Sequence, residues 1–406
     1  MKILTIHDIG TATGGAELQM LSLRQGLRDL GHDVRLFSSS ATPVADSKIE
    51  ADYSCFGTNS LFQVISQTAN LSAYLKLREI LAEFKPDVVH IRMFLWQMSP
   101  LILPLLRDIP CIYQTAVYKA ICPAGHKVLP DGSACQNEPG IACLSNKCLT
   151  PQTWATLMVQ QKLWSAWRDA IDVVVALSQG MKTQLEAAGI EPVEVVYNGV
   201  PIKPQSTSLK EVPTVVYAGR LVAEKGVDVL LSAFARAGEK VPDARLLIAG
   251  DGVEQENLLT LCRELNITNA VEWLGYLPQA EMEQHFAGAW VQAVPSQWAE
   301  PFGNVTTEAM MRGTAVIVSA VGAQPEIIVS DRTGFSITDY SNVDDWTTKL
   351  VTLLSDRALA MEMGQAGRDR ALAKFSESQR NQKFLEIYRR LQHRYSQDSL
   401  RLAVQN

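Results

Sequence analysis

Short apolar runs alternate with longer stretches in which apolar residues recur at helical spacing, from one end of the chain to the other. Few polar residues interrupt these runs, which is typical of parallel strands buried on both faces. We predict strands at KILTIHDI, DVRLFSS, DVVHIR, PCIYQT, DVVVALS and VEVVYNG in the first half, and at TVVYAGR, ARLLIAG, VEWLG, VQAVPS and TAVIVSA in the second. Helices between them, such as AELQMLSLRQGLRDLG and YLKLREILAEF, complete an α/β pattern.

The strand–helix pattern starts again near Thr214, after the segment GVPIKPQSTSLKEVP. We interpret this Pro-, Ser- and Lys-containing segment as an interdomain linker. The sequence therefore predicts two Rossmann-like domains, residues 1–200 and 201–375, that face each other across a cleft. Ligands of such open sheets bind at the carboxyl ends of the strands, so the loops that follow the strands should carry the chemistry.

Composition excludes several classes of protein. Of the 406 residues, 47% are hydrophobic and 20% charged, which is the composition of a globular protein. A net charge of −6 argues against binding nucleic acid through bulk positive charge. The first apolar run breaks at His7 and Asp8, too early for a secretory signal, and no run of about 18 apolar residues predicts a membrane span. We expect a cytoplasmic protein and leave docking at the inner membrane surface open.

The segment EPFGNVTTE places Glu300 and Glu308 on either side of a break in regular structure, with seven residues between them. The Pro and Gly after Glu300 predict a loop, and a helix should begin at Asn304. A helix N-terminus preceded by glycine is suited to a phosphate, which here would meet the backbone N–H groups of Gly303, Asn304 and Val305. Carboxylates at both ends suit a ligand with hydroxyls at its ends and phosphates between them, as in a nucleotide-sugar.

A second segment, TVVYAGRLVAEKGVDVLLSAF, combines a strand, a loop with two cations, and a helix. Arg220 follows the strand directly, and Lys225 lies in the loop that enters the helix. Cations at these positions can hold a diphosphate leaving group, Arg as a planar fork and Lys as a point charge. Each would be an ordinary solvated charge alone, but the combination with EPFG favours the phosphate interpretation.

The ordered set of these motifs resembles the retaining, nucleotide-sugar-dependent glycosyltransferases of family four, which have the GT-B fold. The matching pieces cover nearly the whole chain: Gly14-Gly15-Ala16-Glu17, Gly219-Arg220-Leu221, Glu224-Lys225-Gly226, Gly250-Asp251-Gly252 and Glu300-x7-Glu308. In that fold a final helix, here 376–406, crosses back onto the first domain, which faces the acceptor. The resemblance implies transfer of a hexose-type sugar from a nucleotide-diphosphate sugar to an acceptor hydroxyl, in polysaccharide or glycolipid synthesis. The alternative is a non-catalytic nucleotide-sugar or glycan-binding protein.

The resemblance also assigns roles to residues. Glu300, Arg220 and Lys225 are the expected catalytic groups, Glu300 by orienting the donor sugar and the cations by neutralising the diphosphate, without a catalytic metal. Glu308 is expected to hold the ribose. Asp251 instead looks like an N-cap for the helix that follows. The expected donor-binding residues are Gly14, Gly15, Arg220, Lys225, Gly250, Gly275, Tyr276, Leu277, Glu300, Phe302, Gly303, Asn304, Val305 and Glu308.

The acceptor side departs from the family pattern. Many members carry His-Asp shortly before a Cys-Pro, whereas this chain has YQTAVYKAICP. Gln114, Thr115 or Tyr118 would then stand in for the missing group. His90 and Arg92, at the end of the strand DVVHIR, are weaker candidates for contact with a glycan or lipid-linked acceptor. A lone His at a strand end is more often structural.

Four cysteines fall in a Gly- and Pro-rich insertion, 118–150, that has too little periodicity to form its own core. Their spacings, x12, x7 and x4, contain no CxxC pair. The alternatives are a structural zinc site, an iron–sulfur cluster, disulfides or free thiols. These cysteines are Cys122, Cys135, Cys143 and Cys148. Cys55, Cys111 and Cys262 are predicted to lie in the core. Trp154, Trp164 and Trp167 on the next helix would suit membrane docking or, more simply, core packing.

Overall fold

A computed structural model describes residues 1–44, 47–205 and 208–405, with side chains as far as 397. The strands are β1 (Lys2–Ile9), β2 (Asp33–Ser39), β3 (Tyr53–Cys55), β4 (Val88–Met93), β5 (Cys111–Gln114), β6 (Val173–Ala176), β7 (Val193–Val195), β8 (Thr214–Ala218), β9 (Arg245–Ala249), β10 (Val271–Gly275), β11 (Val291–Val294), β12 (Ala315–Ser319) and β13 (Gly334–Ile337). The α-helices are α1 (Gly15–Asp29), α2 (Gln63–Ser66), α3 (Leu71–Phe84), α4 (Ala142–Ser145), α5 (Pro151–Trp167), α6 (Gln179–Ala187), α7 (Val227–Gly238), α8 (Gln255–Glu264), α9 (Gln279–Phe286), α10 (Asn304–Arg312), α11 (Gln324–Ile327), α12 (Val343–Ser355), α13 (Arg357–Lys374) and α14 (Glu377–Gln405).

The chain divides into two compact units. The first is Met1–Gly199 together with the C-terminal segment from Glu377, and the second is Val200–Ser376. The predicted boundaries fall within one residue of this division. Most of the predicted linker lies in the second unit; its residues 206 and 207 lie outside the described residues, as does residue 406 of the predicted terminal helix.

The first unit is built on a parallel sheet with the strand order β3-β2-β1-β4-β5-β6-β7. The inner strand β1 pairs with β2 on one side and β4 on the other, with Ile3 opposite Val34 and Val88. These three side chains are fully buried because helices cover both faces, which explains the near-continuous apolar runs. The sequence missed β3, whose three residues pair only at the sheet edge and include one apolar position that is buried, Cys55.

Helix α14 belongs to the first unit because its apolar face completes that unit's core. Phe384 and Tyr388 are fully buried and cluster with Ile3 and Leu23. The Tyr388 hydroxyl shares a 2.6 Å hydrogen bond with Nδ1 of His90, whose ring lies 4.7 Å from that of Phe384. The C-terminal helix is therefore tied to β4 by a buried polar contact as well as by apolar packing.

The second unit contains a parallel sheet with the strand order β10-β9-β8-β11-β12-β13. Its core is formed by the strand side chains and by α7 and α12, with Phe234 and Trp346 buried between them. The five strands predicted here are present. The missed strand, β13, is the four-residue edge segment GFSI, in which a glycine and a serine weaken the strand signal.

Helix α10 ends in a buried cation. Arg312 is 3% exposed, and its guanidinium donates to Glu283 of α9 at 2.8 Å and to Oε1 of Gln292. The Gln292 amide in turn donates to the carbonyl of Val305, in the first turn of α10, at 2.9 Å. Lys203 also pairs with Glu283. This network joins α9, β11 and both ends of α10, so it fixes the helix on which Glu308 lies.

Replacing Tyr388 with Phe should destabilise the first unit. The change leaves the buried Nδ1 of His90 without its partner, at a cost of about 1–2 kcal/mol, which lowers the melting temperature by roughly 2–6 °C. The matched control is Tyr395→Phe on the same helix, because Tyr395 contacts Asp172 at 3.2 Å in a partly exposed position. Equal shifts in the two variants, measured by calorimetry, would show that the His90 contact adds no stability.

Replacing Arg312 with Met should destabilise the second unit more strongly. Breaking a buried ion pair typically costs about 3–5 kcal/mol, and because Lys203 still neutralises Glu283 we expect about 2–3 kcal/mol. Arg236→Met is the control, because Arg236 pairs with Asp344 on the surface and should contribute less than about 1 kcal/mol. Thermal unfolding of both variants tests this; a loss for Arg312→Met no larger than for the control contradicts the network's structural role.

Candidate functional site

Three loops meet at the carboxyl edge of the second sheet. Gly226, in the loop after β8, has a φ of 63°, and a β-carbon there would lie 2.2 Å from the carbonyl oxygen of Pro295 after β11. Gly322, after β12, has a φ of 61°, and a β-carbon there would lie 2.5 Å from the backbone nitrogen of Glu300. Only glycine permits both the left-handed conformation and these approaches. The loops therefore contact one another backbone to backbone, and side chains from different loops converge.

Lys225 and Glu300 meet where these loops converge. The Lys225 ammonium lies 2.5 Å from Oε1 of Glu300, and the side chains are 18% and 12% exposed. The same ammonium lies 5.6 Å from the ring centre of Trp298, within cation–π range. The sequence assigned Lys225 to a diphosphate and Glu300 to a sugar, and the structure brings the two groups into direct contact. The reasoning missed Trp298, although it lies two residues before Glu300.

Arg220 is placed differently. Its side chain is 67% exposed and makes a long, 3.5 Å contact with Glu224. The loop after β9 contacts the segment that carries Arg220 through the backbone. The N–H of Leu221 donates to the carbonyl of Asp251 at 2.7 Å, and a β-carbon on Gly250 would lie 1.8 Å from the carbonyl oxygen of Gly219. The predicted cap is wrong, because α8 begins at Gln255 with Glu254 in the cap position, and Asp251 lies outside the helix.

The N-terminus of α10 lies beside this loop cluster, as predicted. The helix begins at Asn304 and ends before Gly313, and its cap residue, Gly303, supplies no capping side chain. Gln324 of α11 lies against Gly303, accepts a 2.8 Å hydrogen bond from Thr306, and leaves its buried Nε2 without a partner among the described residues. Helix α10 therefore begins without a side-chain cap; the N–H of Thr306 donates to the carbonyl of Gly303 at 3.1 Å, and Val305 before it is half-buried.

Two of the expected donor-binding residues, Phe302 and Glu308, lie near the start of α10. Phe302 was expected to contact the donor, but it is 4% exposed and packs edge-on against Phe375 at 5.9 Å, so its side chain belongs to the core. Glu308 is half-buried and accepts a 3.3 Å hydrogen bond from Gln279. Burial raises the pKa of the Glu308 carboxyl, and the cations Lys203 and Arg312 oppose that rise. Glu308 is thus accessible and held by the Arg312 network.

The segment after β10 lies near the start of α9. Gly275 ends β10 with a φ of 66°, and no atom lies within 4 Å of where its β-carbon would be. Tyr276 is 70% exposed, and Leu277 packs against a small apolar cluster that includes Phe286. The aromatic ring of Tyr276 is therefore free to contact a ligand, whereas Leu277 anchors the segment.

In the first unit, Gly14 is the cap residue of α1, and the helix begins at Gly15. The Glu17 side chain folds back over this end: a β-carbon on Gly14 would lie 2.4 Å from its Oε2. Burial raises the pKa of Glu17. A carboxylate of the chain itself therefore covers the helix N-terminus at which Gly14 and Gly15 were expected to bind the donor.

The five candidates on the acceptor side are all buried, so the structure does not support the expected contact of their side chains with an acceptor; they are His90, Arg92, Gln114, Thr115 and Tyr118. Arg92 donates to Gln114 at 2.6 Å and to Asn198 at 3.2 Å. Burial, followed by the nearby Arg92, lowers the pKa of His90 to about 3, so the ring is neutral at physiological pH. Tyr118 is 1% exposed. The side chains of these residues therefore pack inside the first unit, on β4, on β5 and in the turn after β5.

The cysteines are all free thiols. Cys55, Cys111 and Cys262 are buried, which confirms their prediction as core residues. Within the described residues, no group of three or more His, Cys, Asp or Glu side chains has the arrangement of a formed metal site, so the geometry does not support the predicted zinc or iron–sulfur site as a preformed one.

Of the three tryptophans considered for membrane docking, Trp164 is buried, whereas Trp154 and Trp167 are half-buried. Across the described ranges, no helix has both the length and the hydropathy that crossing a bilayer requires.

Comparison with known families agrees with this picture. Residues 201–370 match the model for glycosyl transferases group 1, and residues 14–201 match that for a glycosyl transferase 4-like domain. The D-inositol 3-phosphate glycosyltransferase of Corynebacterium aurimucosum is 26% identical over 398 residues, which cover 88% of this chain and 87% of that protein. The GDP-mannose-dependent alpha-(1-6)-phosphatidylinositol monomannoside mannosyltransferase of Mycolicibacterium smegmatis is 33% identical over 181 residues, 43% of this chain and 47% of that protein.

Solved structures share the fold. Sucrose-phosphate synthase from Thermosynechococcus elongatus superposes with a TM-score of 0.70 at 20% identity, over 96% of this chain and 99% of that one. Anabaena Alr3699/HepE in complex with UDP superposes with a TM-score of 0.69 at 20% identity, over 95% and 99%. The two parallel α/β units, the two family models and these relatives all indicate the same family. The chain belongs to the family-four glycosyltransferases of GT-B fold.

Proposed function

We propose that this glycosyltransferase moves a hexose from a nucleotide-diphosphate sugar to a hydroxyl of a glycan or lipid-linked acceptor, with retention of anomeric configuration, in cell-surface polysaccharide or glycolipid synthesis. The observation that carries the proposal is the Lys225–Glu300 pair beside the uncapped N-terminus of α10. Relatives named for inositol phosphate and phosphatidylinositol mannoside acceptors, and a structural relative in complex with UDP-glucose, support the substrate classes.

The proposed chemistry places positive charge where negative charge develops. Cleavage of the sugar–phosphate bond leaves charge on the diphosphate, so donors that strengthen toward the departing oxygens accelerate the step. Lys225, the exposed guanidinium of Arg220 and the first-turn N–H groups of α10 are such donors. Because they do the work that a divalent ion does elsewhere, the mechanism uses no catalytic metal.

Contact between Lys225 and Glu300 suggests how donor binding prepares the site. The two groups lie 2.5 Å apart and neutralise each other. A diphosphate competes for the ammonium, which frees the Glu300 carboxylate to accept hydrogen bonds from sugar hydroxyls. Glu308 would accept from the ribose hydroxyls. The incoming hydroxyl attacks from the face of the leaving group, and its proton passes to a phosphate oxygen.

A donor screen tests the proposal directly. UDP- and GDP-linked hexoses are added singly, and binding is read from the melting temperature, since a ligand that binds only the folded state raises it. Donors that bind are then assayed for sugar release and for transfer to inositol phosphates, lipid-linked sugars and oligosaccharides. NMR of the product reads the anomeric configuration. Binding without release or transfer would indicate a non-catalytic sugar-nucleotide-binding protein, and an inverted product would refute retention.

Arg220→Ala and Lys225→Ala should each lower kcat about 10²-fold or more, because each removes a donor to the developing charge. Arg236→Ala, a surface cation of the same unit, is the matched control and should leave turnover unchanged. Steady-state kinetics with a working donor measure the three variants. Near-normal turnover of both site variants would refute the proposal that Arg220 and Lys225 stabilise the departing diphosphate.

Glu308→Gln and Glu300→Gln should separate binding from transfer. Glu308→Gln removes a charged acceptor from the ribose, so the affinity for the free nucleoside diphosphate should fall about 10–100-fold. Glu300→Gln releases Lys225, so that affinity should hold or rise while kcat falls about 10²-fold. Calorimetry with the sugar-free nucleotide and steady-state kinetics distinguish the two. Equal losses of affinity would mean that the roles are misassigned.

A further inference from the structure

The insertion between β5 and α5 contains little regular structure. A single 3₁₀ turn, Tyr118–Ala120, an isolated bridge between Val128 and Ala134, and the four-residue helix α4 are its elements. Its four cysteines are half-buried, although consecutive ones are separated by up to twelve residues along the chain. A loop of this kind has too little core to hold its own shape, so a cross-link is the expected source of order.

All four cysteines line one small, enclosed cavity of about 20 Å³. The other described residues that line it are aliphatic or carry amides, and none is charged. A cavity of this size has room for one ion or one water molecule, but not for a cluster of several iron and sulfur atoms. The fold of the insertion therefore gathers four thiols from separate parts of a loop into one uncharged cavity.

A buried cation lies near the start of the insertion. The ammonium of Lys119 donates to the carbonyl of Pro123 at 2.5 Å and lies 4.1 Å from the ring centre of Trp96. Because Lys119 is three residues before Cys122, its charge offsets part of the negative charge that four thiolates around a divalent ion retain.

We infer that the insertion binds one thiophilic divalent metal ion, Zn²⁺, through the thiolates of Cys122, Cys135, Cys143 and Cys148. Binding releases four protons: Zn²⁺ and four thiols give a tetrahedral tetrathiolate, with Zn–S distances of about 2.3 Å. The sulfurs are gathered in one cavity but not set at ligand spacing, so the ion draws them together by small movements of the loop.

The site would brace the turn that follows β5. The N–H of Cys122 donates to the carbonyl of Tyr118 at 2.8 Å, and the N–H of Tyr118 donates to the carbonyl of Gly125 at 2.9 Å. An ion held by Cys122 therefore clamps this turn to the distant end of the insertion at Cys148. This role does not depend on the donor chemistry.

The test begins with wild-type protein purified under reducing conditions without added metal. Elemental analysis should find about one zinc per chain. Protein stripped with a chelator should bind Co²⁺ and show the sulfur-to-cobalt charge-transfer bands and intense d–d bands of a tetrahedral thiolate site. Cys143→Ser and Cys148→Ser should lose both signals, whereas Cys262→Ala, a change at a core thiol outside the cavity, should keep them.

Four outcomes would overturn the inference. They are four alkylatable thiols with no zinc and no tetrahedral cobalt spectrum, two disulfides by mass spectrometry of the reduced preparation, iron with cluster absorption, or metal retained in both serine variants. Because the wild-type measurements decide the question alone, a variant that fails to fold does not prevent a result. Loss of zinc with donor turnover retained would support a structural ion and leave the proposed transfer reaction unaffected.

Discussion

The backbone contacts among the loops after β8, β11 and β12 are the constraint on which the candidate site depends. Gly226 against Pro295 and Gly322 against Glu300 bring three chain segments closer than any side chain would allow. Parallel strands make this possible because their carboxyl ends share one edge of the sheet. Lys225 and Glu300 lie 75 residues apart in sequence, yet the contact between their loops brings the two side chains together. The ion pair is therefore a consequence of loop packing.

Burial then sets what each charge can do. Lys225 and Glu300 are mostly shielded from water, so their attraction is stronger than that of a surface pair, and an incoming diphosphate must compete with it. Arg220 remains two-thirds exposed and costs little to reorient. The two cations are thus complementary: one is held in place in advance, and the other is free to follow the ligand.

Sequence reasoning predicted what depends on local pattern and missed what depends on packing. The long buried strands and the start of α10 follow from apolar runs and from a glycine before a polar helix. The edge strands β3 and β13 have too few apolar residues to produce a recognisable strand pattern in the sequence. They form because a neighbouring strand offers its backbone groups for pairing. The burial of Arg92 and Phe302 could not be predicted, because it depends on partners about 106 and 73 residues away, Asn198 and Phe375. The Lys225–Glu300 contact was missed for the same reason, since each residue was assigned a ligand rather than a partner.

Two helix N-termini resemble each other in sequence but differ in what covers them. At α1, the glycine cap is followed by Glu17, whose carboxylate folds over Gly14 and supplies negative charge to the helix end. At α10, the first turn contains no acidic residue, and Gly303 offers no capping side chain. An anion that approaches α1 must displace a carboxylate with a raised pKa, whereas the only carboxylate described beside the start of α10, that of Glu300, is paired with Lys225. Since the net charge of the protein is −6, long-range attraction does not bring a diphosphate here, and the local donors of α10 must supply the selectivity. The second unit is therefore the stronger candidate for the diphosphate.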